Sequence, residues 1–319
     1  MGISAEAFAS GRLPVAQMVG RLRRALKAYA PGVIHSHGYK PDILLALPGV
    51  ASGWKRISTC HTWYRETWKM RTWEAMDKFV LRSFDGVVAV SEHIERELLE
   101  AGVPRRKVHK IENGIESPHG DPQLGAALRR EFSIPADSRL VVQVGRLAQS
   151  KRNDLVIAAL QQLPADTHVI FAGDGEERGV LETSVASLGL ENRVHFAGYR
   201  SDVLAFLSAA DVLVISSDHE GLPIVLLEAM AAGCPVVSTR VGEIGHVLKD
   251  GRDGWLVPPG QADALAAALG EALTRRDEAR RRAAAARETF ERGHSREAMG
   301  CKYLAVYEAA WSGLREAAH

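Results

Sequence analysis

Residues 210–239 read ADVLVISSDHEGLPIVLLEAMAAGCPVVST, and this stretch decides the fold. Four aliphatic residues, Val212 to Ile215, run without polar alternation into a Ser, Asp, His and Gly loop. Pro223 occupies a first-turn position, the helix that follows runs through Glu228, and Gly233 closes it before Pro235 opens a second aliphatic run. Strands without alternation are buried on both faces. Joined by a helix, two of them form the repeat of a parallel α/β sheet. The same pattern extends outward: RLVVQVG, THVIFAG and RVHFAG precede this segment and GWLVPP follows it, each leading into helical sequence. A second series lies earlier, with GVIHSH, RISTCH, GVVAVS and KVHKIE as strands, and helices expected over residues 66–83 and 92–101. The Pro- and Gly-containing stretch SPHGDPQLG separates the two series, which makes two doubly wound α/β units of four and six strands.

Composition narrows the partners. The 319 residues are 46% hydrophobic and 25% charged, enough apolar material for two cores and too much for a disordered chain. Lys and Arg number 40 against 39 Asp and Glu, so no basic excess exists to gather a nucleic-acid backbone. The three cysteines lie far apart and form no CxxC pair, the usage of a reducing, cytoplasmic compartment. The most apolar stretch carries Glu228 and a Gly-Cys-Pro break, so no bilayer span is expected. Residues 1–30 are Arg-rich, yet Leu13, Met18, Leu22, Leu26 and Tyr29 have helical spacing, and a structural helix is expected there.

In doubly wound sheets ligands bind beyond the carboxyl ends of the strands. After RLVVQVG, Gly145 ends a strand, Arg146 and Lys151 flank a short loop, and Ser150 is placed to cap the next helix. Two cations at a helix start suit an anion, although solvated surface charges explain this loop alone equally well. In FAGDGEERG, Gly173 and Gly175 permit close backbone approach, but the third glycine falls one place late for a dinucleotide fingerprint. Gly198 and Tyr199 end another strand where backbone or ring can meet a planar base, or simply turn. Glu220 sits in a loop at a positive helix end. Glu228 rides on an otherwise apolar helix, where it needs ligand hydroxyls or a buried arginine. In the first unit His35 and His37 share a face at one strand end and His61 ends the next. That HxH also suits zinc, but no carboxylate at ligand spacing accompanies it, and hydrogen bonding to a sugar or phosphate is the preferred reading.

Taken together these residues resemble a known family. EGLPIVLLEAMAAGCPVV with its Glu220/Glu228 E-x7-E pair, VGRLAQSK, AGDG, VHFAGY, ENGIE and VSEHIERELL are similar to the landmarks of the retaining nucleotide-sugar glycosyltransferases of family 4. The resemblance covers residue 32 to the C-terminus. It implies a GT-B fold of two facing Rossmann-like domains: an acceptor-side domain over 1–118, a donor domain over 119–293 and a final helix, 294–319, crossing back. It also implies that Arg146 and Lys151 hold the donor diphosphate and stabilise its departure. Glu228 would bind the ribose, Glu220 the transferred sugar, and the Gly221, Leu222, Pro223, Ile224 and Val225 backbone would add helix-end stabilisation. Gly145, Gly173, Gly198 and Tyr199 complete the donor site, and His35, His37 and His61 line the acceptor side. The partners implied are a nucleoside-diphosphate sugar and a glycan, lipid-linked or small-molecule acceptor. No cofactor or metal is expected, since the chain holds no D-x-D. A hydrolase or epimerase on the same fold, or a nucleotide-sugar-binding subunit without turnover, are the competing readings.

Two expectations concern the first half. Relatives with this fold begin with a strand and a glycine-containing loop ahead of the segment resembling GVIHSHGYKPD, whereas one helix precedes it here, so a shortened sheet with an open edge is expected. Residues 1–118 carry a net +6 and the remainder −5, and four of six tryptophans, Trp54, Trp63, Trp68 and Trp73, fall in the first half. At 100° per residue Trp73, Met76, Val80 and Phe84 share one face, expected to be core, and Trp68, Arg71, Lys78 and Arg82 the other. The latter face suits contact with the anionic inner surface of a membrane.

Overall fold

The computed structural model describes residues 15–61 and 68–316, so Leu13, Trp63 and the start expected for the helix at Glu66 lie outside the described residues. The chain divides into two compact units, Met1–Asn113 with Met299–His319, and Gly114–Ala298. Positions 118 and 294, where boundaries are expected from the sequence, both lie inside the second unit. Ile115 bridges to Ser295, and Arg296 pairs with Glu116, which ties both flanks to the second unit.

All ten expected strands form. In the first unit β1 (Val33–His37), β2 (Lys55–Cys60), β3 (Gly86–Ala89) and β4 (Val108–Lys110) make a parallel sheet in the order β1-β2-β3-β4, with β1 at an edge. They are interleaved with α1 (Val15–Lys27), α2 (Tyr39–Ala46), α3 (Trp68–Leu81) and α4 (Glu92–Glu100). Ser91 caps α4 by accepting from the Ile94 amide, and Glu92 and Glu95 complement its positive end.

In the second unit β5 (Arg139–Val144), β6 (Thr167–Ala172), β7 (Val194–Gly198), β8 (Val212–Ile215), β9 (Val236–Thr239) and β10 (Trp255–Val257) lie parallel in the order β10-β9-β8-β5-β6-β7. The helices are α5 (Pro122–Glu131), α6 (Asn153–Leu160), α7 (Arg178–Ser187), α8 (Val203–Ala209), α9 (Ile224–Ala232), α10 (Ile244–Val247), α11 (Ala262–Thr274) and α12 (Arg276–Gly293). Successive strand residues point to opposite faces, and both faces are covered: Val141, Val169 and Val214 pack with Leu160, Leu181 and Leu269, while Val142 and Ile170 pack with Phe206 and Leu128. That double burial explains the aliphatic runs, each buried Leu, Val or Phe contributing about 1.5–3 kcal/mol. Helix α9 ends as its sequence requires. Gly233 takes φ 72°, and the Cys234 amide turns back to the Ala229 carbonyl at 2.9 Å. Helix α13 (Arg296–Glu316) brings Val306, Tyr303 and Tyr307 against Ile57 and Val88 of the first unit.

Helix α3 departs from expectation. Its core-facing residues are Asp77 and Leu81, followed by Phe84, whereas Trp73 and Met76 are 39% and 43% exposed. Periodicity alone selected the wrong stripe because the helix buries a carboxylate. Lys78, expected on an open face, is held by Glu74 at 2.7 Å and Glu97 at 3.1 Å. Tyr29 lies beyond the end of α1 and is 64% exposed.

Asp42, in the first turn of α2, is fully buried. The Ser36 hydroxyl donates to one of its oxygens and the Ser58 hydroxyl to the other at 2.8 Å, with Asp77 alongside. Burial pushes the Asp42 carboxyl up to about 7, reinforced by Asp77 and opposed by the serines. A carboxyl raised in the folded state keeps its proton where the unfolded chain has lost it, so its contribution to stability falls between about pH 4 and 7, by up to about 4 kcal/mol. Asp42→Asn removes this titration. The variant should gain thermal stability relative to wild type as pH rises from 5 to 8; parallel melting curves across that range would contradict the shared burial of the two acids.

Candidate functional site

Strands β5 and β8 lie side by side where the strand order reverses, and the loops beyond their carboxyl ends carry the residues singled out above. Gly145 leaves β5 at φ 146° and Gly173 leaves β6 at φ 153°. A Cβ on Gly173 would stand 1.9 Å from the Gly145 carbonyl oxygen, so only glycine lets these two loops touch. Buried Gln143 donates to the Lys151 carbonyl at 3.2 Å and to the Ser216 hydroxyl at 3.1 Å. Ser216 in turn donates to the Lys151 carbonyl at 2.8 Å, and the Asp218 amide donates to the Ser150 carbonyl at 2.9 Å. The loops after β5 and β8 are thereby fastened to each other. Ser150 does not cap α6 as expected. The capping position falls to Arg152 in the left-handed region at φ 49°, its guanidinium spanning Asp154 and Asp218.

On this frame the Lys151 ammonium donates to Glu220 Oε1 at 2.6 Å, and the Ser217 hydroxyl donates to the same oxygen at 2.7 Å. Gly145, Arg146, Lys151, Ser217, Glu220, Pro223 and Val225 line one cavity of about 30 Å³. Arg146 is exposed, and its guanidinium makes no hydrogen bond or ion pair among the described residues. Pro223 stands one place before α9, at its N-cap, and no side chain caps that helix. Leu222 packs into the core, Gly221 is exposed and Ile224 is 46% exposed. Glu228, a turn further along α9, is half-buried and without a partner among the described residues. The arginine that would have made it a structural acid is absent there, and burial pushes its carboxyl up. Gly198 bridges Gly173 at φ 68°, and Tyr199 beyond it is 84% exposed. Together these groups offer fixed cations and open amides to an anion and carboxylates to hydroxyls.

The three histidines belong to the other unit. His35 Nδ1 meets the Tyr307 hydroxyl at 2.6 Å and Nε2 the Thr59 hydroxyl at 2.8 Å, which engages both ring nitrogens. Among the described residues no group of three His, Cys, Asp or Glu could hold a metal ion. His37 and His61 are exposed, stacked, and 3.2 Å apart between Nδ1 and Nε2. Burial, then the neighbouring imidazoles, lowers His35 to about 4, and His61 is lowered for the same reasons. These shifts favour the neutral imidazole in both rings.

The sequence pattern described as Glycosyl transferases group 1 matches residues 126–289, half of the chain and nearly all of the second unit. The chain belongs to this family. A second pattern, Glycosyltransferase Family 4, matches residues 7–117. Among curated relatives of this group 1 member, the Lipopolysaccharide core biosynthesis glycosyltransferase LpsE of Rhizobium meliloti is 34% identical over 223 residues, 70% of this chain and 64% of that protein. The N-acetyl-alpha-D-glucosaminyl L-malate synthase of Bacillus anthracis is 29% identical over 191 residues, covering 59% of the chain and 50% of that protein. The chain thus spans about half to two thirds of these relatives' lengths. Anabaena Alr3699/HepE, solved with UDP, superposes with a TM-score of 0.78 at 22% identity over 92% of this chain and 82% of its own. A glycosyltransferase from Rickettsia africae superposes at 0.79 and 20% identity over 97% and 84%. The fold of this group 1 member is therefore the two-domain Rossmann-like GT-B fold.

Two residues that shape the site escaped the sequence reading of this family member. Ser217 holds Glu220, and only its position three residues before that acid hints at it. Gly242, at φ 50°, lies under the Glu220 loop: a Cβ there would come within 1.9 Å of the Glu220 carbonyl oxygen, and the next amide, Glu243, donates to the Gly221 carbonyl. An isolated glycine after a strand carries no signal of that contact. Gly242→Ala should destabilise the second unit by about 2–4 kcal/mol through overlap and left-handed strain. Urea unfolding measures this, and a change below about 0.5 kcal/mol would mean the loop yields freely.

Proposed function

We propose that the chain transfers a hexosyl group from a nucleoside-diphosphate sugar to a glycan, lipid-linked or small-molecule acceptor, with retention of configuration and without a metal ion. The observation that carries this reading is the Lys151–Glu220 contact on the wall of the cavity that Arg146 also lines. A cation for phosphate and a carboxylate for hydroxyls touch at one point, as a donor joining both groups requires. The UDP and UDP-glucose complexes of Anabaena Alr3699/HepE and the naming of LpsE support it.

In this reading Arg146 and Lys151 bind the diphosphate. As the anomeric C–O bond breaks, the electron pair passes to the leaving oxygen, and these cations with the open end of α9 neutralise the growing charge. Glu220, held by Ser217, orients the sugar hydroxyls beside the reacting carbon, and Glu228 accepts from the ribose hydroxyls. Gly173, Gly198 and Tyr199 meet the base. His61, with His35 and His37, meets the acceptor. The reaction is proposed to occur in the cytoplasm.

Glu220→Gln should lower turnover while leaving diphosphate affinity largely intact. Arg146→Ala should weaken nucleoside diphosphate binding by about 1.5–3 kcal/mol, the worth of a charged hydrogen bond. Calorimetry with UDP, GDP and ADP tests the second, and unchanged affinity would remove Arg146 from the site. Product analysis with and without acceptor separates transfer from hydrolysis or epimerisation, and binding without turnover would mark a non-catalytic subunit. Treatment with EDTA should leave transfer undiminished; its loss, restored by a divalent ion, would overturn the metal-free assignment.

A further inference from the structure

Helix α3 presents an unusual outer face. Trp68 is 73% exposed and Phe79 68%, values exceeded among the large hydrophobic side chains of the described residues only by Tyr199. Eleven residues separate them, about three turns and 16 Å along the axis, so both lie on one stripe with Thr72 and Ala75 between. Met76 flanks this stripe, whereas Trp73 lies more than about 100° round the helix from it, its ring set against Tyr39 on α2 at 5.9 Å. Cations occupy the margins. Arg71 is exposed on one flank, the Arg82 guanidinium lies 5.7 Å from the Phe79 ring, and the Lys40 ammonium lies 5.9 Å from the Tyr39 ring. The acids of α3 are elsewhere. Glu74 is turned to Lys78, which Glu97 also holds, and Asp77 is buried.

We propose that this face, Trp68 and Phe79 flanked by Met76 and bordered by Arg71 and Arg82, docks the protein on an anionic lipid bilayer. Rings with an apolar body settle at the boundary between headgroups and acyl chains, and cations at the margin of the patch meet lipid phosphates. Apolar side chains exposed this fully and this closely spaced are uncommon on a surface meant only for water. Self-association fits the charge pattern poorly, because a two-fold contact would set Arg71 and Arg82 of two copies against one another. No helix among the described residues is long and apolar enough to cross a membrane, so the contact is interfacial. This docking does not depend on the proposed transfer reaction, and its test needs neither donor nor turnover.

The full chain is sedimented with vesicles of phosphatidylcholine, alone or mixed with phosphatidylglycerol. Binding should appear with the anionic vesicles, fall in high salt, and drop at least about tenfold in Trp68→Ser/Phe79→Ser and in Arg71→Glu. These side chains are exposed, so circular dichroism and the melting temperature should stay at wild-type values. Equal pelleting of wild type and variants, or binding indifferent to phosphatidylglycerol, would overturn the proposal. A dimer in light scattering that the serine variant dissociates, with no vesicle binding, would overturn it in favour of a self-association surface.

Discussion

Close approach of backbone to backbone is the constraint on which the second unit's functional end depends. Loops converge beyond β5, β6, β8 and β9, and they can do so because Gly173 and Gly242 present no side chain where the Gly145 and Glu220 carbonyls arrive. Gln143 and Ser216 then fasten the loop after β5 by donating to the Lys151 carbonyl. The result is a rigid seat, formed before any side chain of functional interest is considered. Lys151 and Glu220 meet at 2.6 Å because their loops are already fastened, and an ion pair between two long side chains would otherwise lose much of its worth to entropy and water.

The first unit is organised on a different principle. Its strand ends display histidines, and the layer beneath is polar: Ser36, Ser58, Asp42 and Asp77 lie buried between the strands and α2 and α3. This layer connects to the display. Ser36 lies between His35 and His37 on β1, and Ser58 adjoins Thr59, which the His35 ring engages. The shared burial of two acids favours retention of a proton in this layer.

Most of the architecture was legible because strands buried on both faces leave unmistakable aliphatic runs; Val212 to Ile215 and Val141 to Val142 need no context to be recognised. Punctuation was legible too, since Gly233 and Pro235 act locally. Helix α3 was misread for the opposite reason. Its inner face carries Asp77, a residue that no pattern of hydrophobicity would assign to a core, and the choice of stripe followed the aromatics instead. The seat of Glu220 was half visible: the acids and cations lie in runs that identify them, whereas the glycine beneath, Gly242, matters only through a neighbour distant in sequence. Ser150 shows the same limit, its backbone being engaged by Asp218 rather than its side chain by a helix.

The contact between Lys151 and Glu220 also bears on selectivity at rest. Each group is the other's counter-ion, so this pair presents a dipole to solvent instead of a bare positive charge. A lone inorganic phosphate approaching Lys151 must draw it away from a carboxylate that is then left uncompensated in a partly buried setting. A molecule that brings hydroxyl donors together with its phosphates leaves neither group stranded. Discrimination against the abundant simple anions of a cell can therefore reside in the resting pair itself, as a threshold that only a bifunctional ligand crosses without loss.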